Sequence, residues 1–88
     1  MVSVCSKERR LGVVAVILEA PEKAFNDFNN LLHLYSKIIV GRMGIPYKER
    51  GISVVSIIVD GTNDEIGALT GKIGQLPSVS VKTVLTKI

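Results

Sequence analysis

The 88-residue chain has no tryptophan, only two phenylalanines and two tyrosines, and one each of histidine and cysteine, so it is short of the side chains that build metal centres, nucleophilic dyads and base-stacking surfaces. A lone Cys5 can neither close an internal disulfide nor form a Cys-rich zinc site, a usage that fits a reducing compartment. A lone His33 has no second imidazole or thiol at ligand spacing and no sequence signature tying it to a nucleophile, so it reads as a structural or surface residue. No metal, cofactor or catalytic residue is expected. Long apolar runs are missing too: none approaches the ~20 residues that span a bilayer. The opening segment MVSVCSKERR carries its charges after its apolar residues, the reverse of a secretory signal. A cytoplasmic location with no membrane partner is the expectation. Charge of one sign is scarce as well: 11 Lys+Arg against 8 Asp+Glu give +3, well short of the excess usual in nucleic-acid-binding domains. The basic clusters Lys7 with Arg9 and Arg10, and Lys48 with Arg50, each enclose a glutamate and read as solvated turns.

What is present is apolar: 47% hydrophobic residues against 22% charged ones is the composition of a folded domain, and the length allows one core. Residues 1–9 read as a leader and residues 10–88 as a single domain. Gly12-Val13-Val14-Ala15-Val16-Ile17-Leu18 is a continuous β-branched run too short for an isolated helix, and predicts a central strand buried on both faces. Pro21 suits a first helical position, and Ala24, Phe25, Phe28, Leu31, Leu32 and Tyr35 recur at helical spacing, which predicts an amphipathic helix from Pro21 to Tyr35. Ile38 to Ile45 and Ile52 to Val59, joined by a polar segment between Pro46 and Gly51, predict a β-hairpin. Thr62-Asn63-Asp64-Glu65 has the Thr-x-x-Glu spacing of a capping box, and Ile66, Leu69, Ile73 and Leu76 continue a second helix that Pro77 closes. Val79 to Thr86 alternates as a half-exposed edge strand should.

Strand, helix, hairpin, helix, strand is the α+β, ferredoxin-like βαββαβ sandwich, in which two right-handed crossovers place both helices on one face of a four-stranded antiparallel sheet. The other face is left bare. In the third strand Val55, Ile57 and Val59 would point one way, and Ile52, Val54 and Ile58 the other, interrupted by Ser56. Both faces are apolar, which predicts a homo-oligomer covering the helix-free one. RNA stacking on this sheet is not expected, because its central strands hold no aromatic residue.

Four constellations remain. Gly67-Ala68-Leu69-Thr70-Gly71-Lys72 looks like a phosphate loop but is one residue short, lacks the closing Ser/Thr and lies inside a helix, so no nucleotide site is expected. Gly67, Gly71 and Gly74 form a stripe on that helix, each glycine costing about 1 kcal/mol relative to alanine, which invites the close approach of another subunit. Asp60, Asp64 and Glu65 cluster where negative charge favours a helix start, and capping accounts for them without catalysis. Arg42 lies between Gly41 and Met43 on an edge strand, with Gly44 suited to a bulge, Pro46 to the strand end and Tyr47 or Met43 to an apolar wall. Its guanidinium could meet a carboxylate or phosphate closely, or simply block unwanted edge pairing. Candidate ligand residues are thus Arg42, Met43, Gly44 and Tyr47, and candidate oligomer-interface residues Ile52, Val54, Ile58, Gly67 and Gly71.

The segment Ile39-Val40-Gly41-Arg42-Met43-Gly44-Ile45-Pro46-Tyr47, with Gly51-Ile52-Ser53, Ile58-Val59-Asp60-Gly61-Thr62, Ala68-Leu69-Thr70-Gly71-Lys72 and Val79-Ser80-Val81-Lys82, resembles the iron-only hydrogenase system regulators, a small family of stand-alone proteins. The resemblance runs from Leu11 to Lys87. More distantly the pattern is similar to the ACT-like regulatory domain of the nickel-responsive repressor, which assembles through its sheets and binds metal between subunits. Met43, Ile45 and Ser53 stand where that repressor has nickel ligands, and about ten residues before the first strand are too few for its DNA-binding domain. Amino-acid-binding ACT domains place a glycine where the first strand meets the first helix; here Glu19-Ala20-Pro21-Glu22 stands there. The resemblance therefore implies a non-enzymatic ACT-like regulatory module, a homodimer or homotetramer that binds a small anionic ligand or a hydrogenase-system protein at a subunit interface. A ligand-free oligomeric scaffold is the competing expectation.

Overall fold

The computed structural model describes residues 8–87, and Cys5 lies outside them. Strand β1 (Arg10–Leu18) leads into helix α1 (Pro21–Leu34), a short 3-10 segment, strand β2 (Ile39–Tyr47), a 3-10 turn and strand β3 (Ile52–Gly61). Helix α2 (Asn63–Gly74) and strand β4 (Val79–Leu85) complete the chain. The sheet runs β2-β3-β1-β4 with every pairing antiparallel, which is the ferredoxin-like α+β topology expected from the element order.

One hydrophobic core explains the layering. Val14, Val16 and Leu18 of β1 and Val55, Ile57 and Val59 of β3 are buried together with Ala24, Phe28 and Leu32 of α1 and Ile66, Leu69 and Ile73 of α2. Strand side chains alternate faces, so both helices cover the side bearing these residues. The alternate residues Val13, Ile17, Val54 and Ile58 are each about two-fifths exposed. The continuous apolar run in β1 is thus buried on one face and not on both: the described residues supply one helical layer, and none of them covers the second apolar face. At its start Gly12 lets β4 come close, since a Cβ there would meet Leu85 Cδ2 at 2.6 Å and the Val84 carbonyl at 3.0 Å.

The first hairpin strand and its turn differ from expectation in three places. Ile38 belongs to the 3-10 segment and is buried, so β2 begins one residue later. The bulge lies at Val40, between Ile39 and Gly41, and not at Gly44. β2 continues through Pro46 to Tyr47, because Pro46 on this outer strand needs no partner for its missing N–H; the turn itself is Lys48–Arg50, closed by Gly51 at φ 66°.

Helix α2 opens on the anticipated capping box. The Glu65 amide donates to Thr62 Oγ1 at 3.1 Å, and the Thr62 amide donates to Glu65 Oε1 at 2.9 Å. The second bond is the main cause holding the Glu65 carboxyl below its ordinary value; desolvation opposes it, while the Thr62 hydroxyl and the charge of Arg9 reinforce it. A carboxyl whose folded pKa is depressed stabilises the fold above its unfolded pKa and loses that contribution as pH falls through the folded one. Thr62→Ala removes the cap and is expected to lower stability by about 1 kcal/mol in urea titrations. Glu65→Gln should shrink the loss of stability seen between neutral and acidic pH.

Candidate functional site

The register of β2 on β3 decides where its side chains go. Arg42, Gly44 and Pro46 oppose Ile57, Val55 and Ser53 on the helix side, while Met43, Ile45 and Tyr47 oppose Ser56, Val54 and Ile52 on the open face. Of the four ligand residues anticipated from sequence, the structure brings Arg42 and Gly44 together and places Met43 and Tyr47 across the sheet from them.

Arg42 lies over α1. Its guanidinium sits 5.8 Å from the centroid of the Phe28 ring, and Nη1 donates to Asn29 Oδ1 at 3.1 Å. Both partners are neutral. Among the described residues the ion pair is Arg9 with Asp60, Nε to Oδ1 at 3.3 Å, with a further bond from Arg9 to the Asp60 carbonyl oxygen. Among the described residues no carboxylate neutralises Arg42 in the same way. On one side of it a slot of about 260 Å³ runs between α1 and the hairpin, lined by Phe25, Gly44, Ile45, Pro46, Ser53 and Val55. On the other side a shallower cleft of about 390 Å³ is lined by Asn29, Leu32, His33, Ser36 and Ile39. Arg42 forms a wall of both.

Phe28, Asn29, Phe25 and Ser53 were not singled out in the sequence as site residues. Asn29 follows Phe28 directly on the helix, and Ser53 faces Pro46 only once the turn is known to be Lys48–Arg50. His33 is an exposed residue of α1, and among the described residues no three His, Cys, Asp or Glu side chains gather to hold a metal.

The anticipated interface residues also separate. Ile52, Val54 and Ile58 lie on the open face, continuous with Val13, Ile17, Met43 and Ile45, all of the last four exposed. Gly67 and Gly71 are exposed on the side of α2 turned from its buried Ile66, Leu69 and Ile73, with nothing within 4 Å of a Cβ built on either. Gly74, the third of the stripe, instead faces β4, where a Cβ would meet Val81 Cγ1 at 3.5 Å, an ordinary contact. Sheet face and glycine pair therefore point in opposite directions. Among the described residues no helix is long and apolar enough to cross a membrane.

Comparison with known proteins agrees with this architecture. A chain of the same layout, the uncharacterized protein TM1266 from Thermotoga maritima, shares 40% identity over 91% of this chain and all of its own, with a TM-score of 0.87. The ACT domain of GTP pyrophosphokinase from Chlorobium tepidum superposes with a TM-score of 0.71 at 14% identity, over 88% of this chain and all of that domain. The apo form of CPII from Thiomonas intermedia, a nitrogen regulatory PII-like protein, gives 0.52 at 17% identity, over 91% and 96% of the two chains. These last two share the fold alone. No curated protein matches the chain. The family model described as "TM1266-like: Iron-only hydrogenase system regulator, putative" matches residues 10–83, nearly the whole domain. The chain belongs to that family, and its fold is ACT-like.

Proposed function

We propose that the protein is a non-enzymatic regulatory module of an iron-only hydrogenase system, working as a homo-oligomer that responds to a small anionic ligand or a partner protein. The observation that carries this reading is the open sheet face. On the two central strands Val13 pairs with Ile58 and Ile17 with Val54, interrupted on this face by Ser56, and Met43, Ile45 and Val84 extend the apolar surface to both edges, each more than half exposed. A monomer in water seldom displays such a patch without a use for it. The family to which the chain belongs supplies the hydrogenase context, and the ACT-like fold supports a regulatory role. Arg42, a cation with only neutral partners, favours an anionic effector over a neutral one.

Light scattering on the purified chain, combined with a thermal-shift screen of metals, amino acids, carboxylates and nucleotides, tests the reading. An oligomer stabilised by one class of compound supports a sensor. An oligomer indifferent to every compound favours a scaffold that works through protein contacts alone, and a monomer overturns the assignment of the open face.

A further inference from the structure

The slot beside Arg42 has a more definite chemistry than its size suggests. Its floor is a strip of two strands in which Gly44 opposes Val55 and Pro46 opposes Ser53, and its outer wall is Phe25 of α1. Gly44 keeps it open: a Cβ there would meet only Val55 Cγ2, at 3.7 Å. The polar groups are few. Arg42 closes one end, with five N–H donors of which one is used by Asn29. Ser53, half-buried, has no hydrogen-bond partner for its hydroxyl among the described residues. Among the described residues no acidic side chain lines the slot.

We propose that this slot binds a small organic monocarboxylate, with the carboxylate on the free edge of the Arg42 guanidinium and the apolar body lying between Phe25, Pro46 and Val55. The proposal deepens the regulatory reading above and rests on it for the role of the ligand, but it gives that ligand a chemical class and a seat within one protomer. The class follows from what each wall can satisfy. A guanidinium fork matches the two oxygens of a carboxylate. A phosphate would turn its remaining oxygens toward Phe25 and Val55, where nothing replaces their hydration. An α-amino acid would bring an ammonium into a slot with no side-chain carboxylate to receive it. A volume of about 260 Å³ suits a short branched or single-ring body, below the ~300–1,000 Å³ of clefts that take larger ligands. Phe28 and Asn29 hold the guanidinium in place before any ligand arrives, so little side-chain freedom is lost on binding.

Calorimetric titration of the full chain with isovalerate and with benzoate tests this, with inorganic phosphate and leucine as comparisons. Saturable binding of at least one carboxylate, tighter than either comparison, is expected. Arg42→Gln should weaken it about 10- to 100-fold, the usual consequence of losing a charge-assisted bond. Gly44→Val should weaken it comparably by filling the slot while leaving the guanidinium intact, and thermal melts establish that each variant is folded. Absence of saturable binding by the folded chain overturns the proposal, as does unchanged affinity in both folded variants, or phosphate binding as tight as that of the carboxylates. Light scattering on the same samples separates this failure from that of the wider reading. An oligomer that binds no carboxylate overturns the slot and leaves a regulator acting through a partner protein; a monomer that binds carboxylate supports the slot and overturns the assembly.

Discussion

Phe28→Ala is expected to leave the chain largely unfolded near physiological temperature. Phe28 is the largest fully buried side chain of the protein and lies in the core that joins α1 to β1 and β3. Removing a buried phenylalanine ring costs about 3–5 kcal/mol, because the transfer energy of the ring is lost and the cavity left behind closes only in part. A chain of this length has a total stability of roughly 4–13 kcal/mol, so that one change removes from about a quarter to all of it. The ring also lies beneath the Arg42 guanidinium, so any surviving folded population would lose the platform that holds the cation over α1. Phe25→Ala, three residues earlier on the same helix, is the control: Phe25 is 42% exposed and should cost well under half as much. Urea unfolding followed by circular dichroism measures both. Equal costs for the two would mean that α1 is rotated from the orientation described.

That pair of phenylalanines shows what could be read from sequence and what could not. Helical spacing placed Phe25 and Phe28 on one apolar stripe, but a stripe has a centre and an edge, and only the packing against β1 and β3 shows that Phe28 is at the centre. The capping box was legible because its chemistry is local: Thr62 and Glu65 satisfy each other's backbone within one turn. Strand order was legible because the hairpin and the two crossovers leave few alternatives. The site was less so. Arg42, Met43, Gly44 and Tyr47 are close neighbours in the chain, and adjacent residues in a strand point to opposite faces, so a cluster in sequence became two groups in space. Which group met the helix depended on the register against β3, and the extra residue at Val40 interrupts that register. Counting alternation from Ile39 across the bulge would have reversed every side chain beyond it. The glycines of α2 could not be placed from sequence for a related reason: a stripe on a helix marks a direction only after the buried side of that helix is known, and here Ile66, Leu69 and Ile73 turn Gly67 and Gly71 outward, away from the open sheet face.

If the open face is the subunit interface, as proposed above, Val54→Lys is expected to yield monomers without unfolding the chain. Val54 sits on β3 between Ile17 of β1 and Ile45 of β2, in the middle of the open apolar face, and is 39% exposed in the isolated chain. A lysine there can extend into water from a protomer, so its cost to the fold should stay within about 1 kcal/mol. In an assembly that covers this face, the same ammonium would be buried without a counter-charge. The charged side chains on the described strands of this face are Asp60, already held by Arg9, and Lys82, which pairs across from Ala15 and would add to the repulsion. An uncompensated buried charge costs several kcal/mol, and a two-fold interface repeats it, so the variant should need a much higher protein concentration to assemble and be monomeric at about micromolar concentrations, where the proposal expects the parent to be oligomeric. The matching substitution on the other side of the molecule, Gly71→Lys, adds the same charge to the exposed face of α2 and distinguishes the two surfaces. If light scattering shows Val54→Lys dissociated and Gly71→Lys assembled, the sheet face is the interface; if the sensitivities are exchanged, subunits meet through their helices and the apolar sheet faces something other than a second copy.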